Sequence, residues 1–422
     1  MGSVSGEAES EDGTWPWILT LFGTAVGAGI LYLPLQAGIS GMAALVFLSL
    51  LIFPIIYYSH HSVVELLALG NERLDYSGMV AHYMGKFAGV LVIAVFFITF
   101  FAVLFSYVLG LNANLGAYGV DLGITETNWA RGPFLTLMIL CFFALLQMIN
   151  RRTLLRIVAF ASTLMIFFLF AISMYLIPFW SVSSWEGQSS FWDFITDALR
   201  IFPILTLSFV FLPAMSSMVM SFRKNEEALK DRDLNRLKGI VWKTSVLLLF
   251  FVLLFVFSCV LSLSPDEFGA AIQDNLNCLT VLSYKEGISP VLANIGVLVG
   301  LAALFTSFIG VFFAVHESAY ELVTMLASMA GRGSVCRKKA EMWISVFIYL
   351  MLWGMAAGNP SVMDVFGFFV APLVAIFLFI LPVVILVRVR GRKMLKSPSH
   401  LFVFFSGVFM LFSYGLGSYL QG

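Results

Sequence analysis

Long stretches without a charged residue dominate the pattern of this chain. There are ten, separated by short charged segments: residues 13–64, 87–120, 132–150, 157–185, 201–222, 244–265, 287–316, 342–363, 365–387 and 397–422. A helix needs about 20 apolar residues to cross the hydrocarbon core of a bilayer, so nine stretches predict one span each. The first contains a turn-like segment at residues 37–41 and predicts two spans, roughly 15–36 and 42–64. The pattern therefore predicts an all-α membrane protein with eleven transmembrane helices.

The composition agrees with a lipid environment. Hydrophobic residues make up 60% of the chain and charged residues 11%, with a mean hydropathy of +0.96. A soluble globular domain is about 25% charged, so this chain has too few charges to cover a surface of its size in water. The formal net charge is zero, which argues against a nucleic-acid partner because such partners favour a strongly basic face.

The placement of Lys and Arg predicts the orientation. With eleven spans, alternate connections put 21 of the 24 basic residues on one side and leave Arg131, Arg200 and Lys285 on the other. Because cytoplasmic connections are enriched in Lys and Arg, we expect the N-terminus in the cytoplasm and the C-terminus outside. Residues 1–14, with four acidic side chains, predict a disordered cytoplasmic tail.

Two of the predicted spans carry residues that interrupt helices. Span one has Gly23, Gly27 and Gly29 near its middle, and span six has Pro213 within residues 208–213. Non-helical backbone at membrane depth is tolerated where it is buried in protein or lines a cavity, and transporters use such breaks at the midplane to bind substrate. Close helix packing through the Gly23–Gly27 pair and a simple proline kink are the alternatives.

The two interrupted spans each begin a run of five, and they start from opposite sides of the membrane. This arrangement predicts two five-helix halves related by inversion. The predicted organisation is residues 1–14 as a tail, 15–178 as the first repeat, 179–200 as an outer connection, 201–388 as the second repeat, and 389–422 as a cytoplasmic loop with helix eleven.

Several motifs resemble a known family. They are GTAVGAGILYLP at 23–34, SSMVMSFRKNEE at 216–227, VFSCVLSLSP at 256–265, VLSY at 281–284, SFIG at 307–310 and NPS at 359–361. On these motifs the chain is similar to the bacterial hydroxy and aromatic amino acid permeases, in particular the serine and threonine permease branch of the amino acid, polyamine and organocation superfamily. The resemblance implies a leucine transporter-like fold, a bacterial inner membrane location and amino acid transport without enzymatic activity.

The same resemblance implies a substrate site. Its residues would contact the carboxylate, the amine or the side chain of a small neutral amino acid: Thr24, Ala25, Ala28, Gly29, Tyr107, Ser208, Phe209 and Phe211. Tyr107 is equally compatible with interior packing. Serine permeases have Asn, His and Ser where this chain has Val210, Phe211 and Leu212. Because fewer groups remain to bond a substrate hydroxyl, we expect a range broader than serine alone.

The coupling ion is where family precedent and residue chemistry differ. Members of the serine branch, which suggest proton symport, have a lysine and a histidine flanking the SFIG-like motif, and this chain has Thr306 and Val311 there. Thr306 and Ser307 resemble the paired hydroxyls of the leucine transporter's second sodium site, completed by the carbonyls of Gly23, Val26 and Ala303. We therefore expect sodium-coupled symport, with a proton-coupled serine/threonine or aromatic amino acid symporter as the alternative. The alternative for Thr306 and Ser307 is that their hydroxyl groups only hydrogen-bond carbonyls of their own helix.

Ionisable side chains complete the prediction. His60, His61 and Glu65 are expected at the cytoplasmic end of span two, reaching toward water. The sequence shows no nucleophile paired with a base and no metal-ligand cluster in facing spans, so we expect neither an enzyme nor a cofactor. An amino acid channel or exchanger is the alternative of a different class, because broken helices also build selectivity filters.

Overall fold

The computed structural model describes residues 14–69, 74–126, 133–149, 151–181, 190–223, 229–331, 336–391 and 397–421. These residues are almost entirely helical. We number their main helices α1 Thr14–Ala25, α2 Ala28–Ile39, α3 Met42–Leu67, α4 Tyr76–Met84, α5 Lys86–Asp121, α6 Pro133–Leu146, α7 Arg151–Leu176, α8 Phe191–Leu207, α9 Leu212–Phe222, α10 Asp231–Ser262, α11 Pro265–Gln273, α12 Cys278–Ser283, α13 Pro290–Met329, α14 Arg337–Ala356, α15 Val362–Arg390 and α16 Pro398–Gln421. The predicted tail lies almost wholly outside the described residues.

The helices fall where the uncharged stretches predict them. Seven are long and apolar enough to cross a membrane, counting α8 with α9 as one, and the bent pair α1 and α2 makes an eighth. Helices α6, α7 and α14 occupy the places of predicted spans four, five and nine but are shorter or less apolar. The described residues thus support a multi-pass helical membrane protein, while the count of eleven spans stays a prediction.

Both segments that the sequence marks as interrupted leave helical geometry. Helix α1 ends at Ala25, Gly27 is extended, and the chain bends by 51° before α2 continues. Helix α8 ends at Leu207 and α9 begins at Leu212, with residues 208–211 in turns and irregular backbone. Pro213 lies in the first turn of α9, where its missing N–H costs no intrahelical bond. The helical backbone is therefore interrupted at both segments, but α8 and α9 together count as one span and the bend of 51° belongs to the first segment.

The longest helices form the frame around these interruptions. Helices α5 and α13 pack along each other, and α10 packs against α1, α2 and α3. Helix α6 joins the frame through Phe143, whose ring stacks on Phe308 of α13 at 3.8 Å between centroids. Such aromatic stacking supplies contact where lipid provides no hydrophobic driving force between helices.

The connection between α10 and α13 folds over the end of α2. Helix α11 starts with a capping box between Ser264 and Glu267, and its Phe268 ring occupies the space where a Cβ on Gly38 would lie. The Asn275 side chain links this connection to α15, because its Oδ1 accepts the Val362 N–H at 2.8 Å. Under the predicted orientation, this connection closes the outer side of the protein.

Candidate functional site

The two interrupted segments touch each other. A Cβ built on Gly29 would lie 3.1 Å from Ser208 Cα and 3.2 Å from its Oγ. Ordinary carbon contacts are about 3.5–4.0 Å, so a side chain at position 29 would require residues 208–211 to move away by a few tenths of an ångström. The sequence predicted the two interruptions separately, and the structure brings them together.

Hydroxyl groups from α5 and α13 meet the first interruption. A Cβ on Gly27 would lie 2.9 Å from Ser307 Oγ and 3.4 Å from Tyr107 Oη, so both hydroxyl groups lie against the same glycine. Three predicted groups are therefore neighbours: the backbone of span one, the tyrosine expected to bind the carboxylate (Tyr107), and one expected sodium ligand (Ser307). We call Gly27, Gly29, Tyr107, Ser208 and Ser307 the convergence site.

Other predicted substrate residues lie at or near this site with different exposure. Ala25 and Phe209 are buried, and Ala28 begins α2. Thr24 is exposed, and its hydroxyl donates to the Thr20 carbonyl at 2.7 Å. The Ser208 hydroxyl donates to the Ile204 carbonyl at 2.9 Å. The substrate role of each of these residues stays a prediction.

His60 lies beside the second interruption, where the sequence did not predict it. We expected it to reach water at the end of span two, but it is completely buried because α3 continues for two further turns to Leu67. Its Nε2 accepts the Phe211 N–H at 3.2 Å, and its ring stacks on the Phe211 ring at 3.8 Å. A half-helix start needs hydrogen-bond acceptors nearby, yet that signal does not say which neighbouring side chain supplies one.

Glu65 also departs from the expectation of a water-reaching side chain. It is only 9% exposed, and it gathers basic groups from three other helices and from its own: Lys238 at 3.1 Å, His400 at 3.3 Å, Arg390 at 3.6 Å and His61 at 3.9 Å. A carboxylate leaves water at low cost only when it is paired in this way. We call this group the Glu65 cluster, and it ties α3, α10, α15 and α16 together.

Two of the five predicted cation ligands, Thr306 and Ala303, contact each other. Thr306 is buried and its hydroxyl donates to the Ala303 carbonyl at 3.2 Å, so two predicted ligand oxygens are adjacent. This bond is also the alternative that the sequence left open, a hydroxyl bonded to its own helix. A hydroxyl oxygen that donates its hydrogen keeps lone pairs for another partner, so the geometry is compatible with both interpretations.

Two cavities differ in what they can bind. The larger, about 690 Å³, lies between α5, α6 and α13 and has an almost wholly apolar lining, so it offers no groups for the charges of an amino acid. A smaller one of about 240 Å³ reaches the start of α9 at Leu212 and Pro213 and is lined by three carboxylates, Asp75, Glu317 and Glu321. Under the predicted orientation, the smaller cavity opens from the second interruption toward the cytoplasm.

Comparisons of the sequence with known proteins find amino acid transporters. The sequence profile described as "Transmembrane amino acid transporter protein" matches residues 10–420. The threonine/serine transporter TdcC of Edwardsiella tarda is 28% identical over 94% of both chains, and the serine transporter SdaC of Escherichia coli K12 is 26% identical over 93% of this chain and 92% of that protein.

The fold has relatives among solved structures. The manganese transporter of Eremococcus coleocola, crystallised as a point mutant, superposes with a TM-score of 0.60 at 11% identity, covering 99% of this chain and 88% of that chain. At this identity the likeness concerns the fold alone. It confirms the predicted fold class, an all-α membrane fold of the leucine transporter type, while the number of spans and the breaks at mid-membrane stay predictions.

Proposed function

This chain belongs to the transmembrane amino acid transporter family, and we propose that it is a secondary active symporter that brings a small neutral amino acid into the cell by alternating access. We rank serine and threonine first, and alanine and other small neutral amino acids next. Threonine and serine appear in the names of the similar transporters TdcC and SdaC, which supports this ranking.

The convergence site is the observation that carries the proposal. Helix α2 begins there, and the first N–H groups of a helix lack intrahelical partners and carry partial positive charge. A substrate carboxylate is therefore favoured at the start of α2, with the Tyr107 hydroxyl nearby as a further donor. A substrate ammonium would be held by carbonyl groups freed at the two interruptions.

The second interruption bears on substrate range. The Phe211 ring is stacked on His60, so it forms a fixed apolar wall and offers no hydrogen bond to a substrate hydroxyl. An apolar wall separates aliphatic side chains by only about 1–3 kcal/mol. We therefore propose a range that includes alanine beside serine and threonine.

We favour sodium as the coupling ion. The predicted ligands are the Thr306 and Ser307 hydroxyls with the carbonyls of Gly23, Val26 and Ala303, five oxygens of the hard type that alkali cations prefer. Support comes from Ser307 lying beside Gly27 and from the adjacency of Thr306 and Ala303. Proton coupling, which the resemblance to the serine branch suggests, is the second candidate.

We further propose a location in the bacterial inner membrane, with the N-terminus in the cytoplasm and the C-terminus outside. The asymmetry of basic residues supports this orientation. The outer connection with α11 and α12 would then close the external side, and the cavity beside Asp75 would open toward the cytoplasm. Alternating access requires a movement that opens one of these two sides while it closes the other.

The decisive experiment separates the driving ions. The purified chain is reconstituted into liposomes, and uptake of radiolabelled L-serine, L-threonine and L-alanine is measured with a sodium gradient alone and with a proton gradient alone. We expect accumulation on the sodium gradient. Full accumulation on a proton gradient in sodium-free buffer would instead support proton coupling.

Matched variants test the cation ligands. Thr306→Ala and Ser307→Ala should each abolish sodium-driven accumulation. Thr324→Ala is the control, because Thr324 makes the same bond to a carbonyl three residues earlier on the same helix, α13. Counterflow of labelled substrate without an ion gradient distinguishes a carrier from a channel, since only a carrier exchanges substrate against its own gradient. Exchange with no net uptake on either ion gradient would indicate an exchanger.

A further inference from the structure

The second interruption depends on a side chain from another helix. Residues 208–210 satisfy their N–H groups with carbonyls three or four residues earlier. The N–H of Phe211 instead donates to His60 Nε2, 151 positions away along the chain. Phe211 is fully buried, so water does not replace this acceptor. His60 therefore pairs a buried donor at the point where α9 begins.

The hydrogen bonds define the state of the imidazole. Nε2 accepts from a backbone N–H, so it carries no proton. Nδ1 lies 2.9 Å from the Ile56 carbonyl, which can only accept, so Nδ1 carries the hydrogen. His60 is thus neutral and in a single tautomer in this arrangement.

The position of the His60 ring is also fixed. The stack on Phe211 has a centroid distance of 3.8 Å and an angle of 23°, and both ring nitrogens are bonded. A shift of α3 against the interruption would lose the bond to the Phe211 N–H and the ring stack together, whereas the bond to the Ile56 carbonyl lies within α3. This makes His60 a rigid link between α3 and the start of α9.

The link reaches the convergence site through three residues of chain. Ser208 and Phe211 are the two ends of the interruption. Gly29 packs against Ser208, whose Cα lies 3.1 Å from the position that a Cβ on Gly29 would take. We propose that His60 is a positioning residue of the substrate site, which fixes residues 208–211 against α2 by accepting the Phe211 N–H. This inference rests on the proposed transport of a small neutral amino acid.

Two substitutions separate the acceptor from the bulk of the ring. His60→Gln places an amide oxygen close to the position of Nε2 and can accept the same N–H, whereas His60→Leu keeps apolar volume without an acceptor. We expect His60→Leu to raise the KM for radiolabelled L-serine about tenfold, because a buried donor is left unpaired. His60→Gln should remain within about threefold of the unaltered chain.

The measurement uses the full chain in proteoliposomes, with initial rates over a range of serine concentrations and normalised to the amount of reconstituted protein. Ser62→Ala is the control, because the Ser62 hydroxyl donates to the Tyr58 carbonyl of its own helix and both His60 bonds remain. A positioning role predicts a change in KM larger than the change in Vmax. A merely structural role predicts less folded protein with an unchanged KM.

Each outcome bears on the inference. Equal KM values for the Leu and Gln variants, whether normal or raised, would overturn it, because the acceptor would then not matter. If His60→Leu yields no folded protein, the Gln variant decides alone: a KM near normal supports the inference and a tenfold rise overturns it. Absence of uptake by the unaltered chain for serine, threonine and alanine would remove the proposed function, and this inference with it.

Discussion

Gly29 allows the sharpest test of the convergence site, because two of the three atoms nearest to its Cβ position are Ser208 backbone atoms. In Gly29→Ala, the new Cβ would lie 3.1 Å from Ser208 Cα, whereas carbon atoms ordinarily approach to about 3.5–4.0 Å. The two segments must then separate by roughly 0.4 Å or more. Added methyl groups in packed interiors typically cost about 1–3 kcal/mol, and a factor of ten corresponds to about 1.4 kcal/mol.

If this cost falls on the substrate-binding arrangement, Gly29→Ala should raise the KM for serine roughly 5- to 150-fold. Gly29→Leu should abolish uptake while the protein is still made and inserted. Gly27→Ala should have the smaller effect, since its Cβ meets Ser307 Oγ at 2.9 Å and a side-chain end can rotate away. Gly27→Leu should again abolish uptake.

The assay is initial uptake of labelled serine, normalised to the amount of protein in the membrane. Gly310→Ala is the control, since a Cβ there meets no atom within 4 Å and it lies on α13 close to Ser307. Normal KM and Vmax in Gly29→Leu would refute the assignment of the first interruption to the substrate site. A control as impaired as Gly29→Ala would show that the effect is not local.

Three further predictions concern orientation, substrate binding and stability. Exposed Cys336 should resist a membrane-impermeant thiol reagent in intact cells, whereas Glu286→Cys, at an exposed position of the outer connection, should react; the reverse result would invert the topology. Tyr107→Phe should raise the KM for serine about tenfold, because a hydrogen bond to a charged group contributes about 1.5–3 kcal/mol, and an unchanged KM would assign Tyr107 to packing. Glu65→Gln should lower the Tm by several degrees, because it leaves partly buried cations without their carboxylate, at a cost of about 1–3 kcal/mol after allowance for partial exposure. Glu341→Gln, which breaks an exposed pair with Arg337, should leave the Tm unchanged, and equal shifts in the two variants would contradict the role of burial.

Much of the architecture follows from local pattern. The uncharged stretches predicted where the helices lie, because a lipid environment penalises charge at every position of a span. The glycines of span one and Pro213 of span six predicted where helical geometry ends, because these residues act on their own backbone. Each of these signals lies within a few residues of the structure that it predicts.

The acidic and histidine residues of span two show the limit of such signals. His60 and Glu65 are near the end of an apolar stretch, and from the sequence alone a water-reaching orientation was the natural interpretation. Their burial depends on Phe211 for His60, and on Lys238, Arg390 and His400 for Glu65. None of these partners is near them in sequence, so local pattern contains no information about the pairing.

Residue pattern and motifs alone predicted the helical membrane class, the positions of two segments that interrupt helices, and the transporter family. The packing of the helices adds that these segments touch through Gly29 and Ser208, that Tyr107 and Ser307 both lie against Gly27, and that His60 supplies an acceptor to Phe211. The physical reason is that spans and breaks follow from the solvent and the backbone at each position, whereas a binding site needs groups from separate helices at distances of about 3 Å, which only the packing of the helices sets.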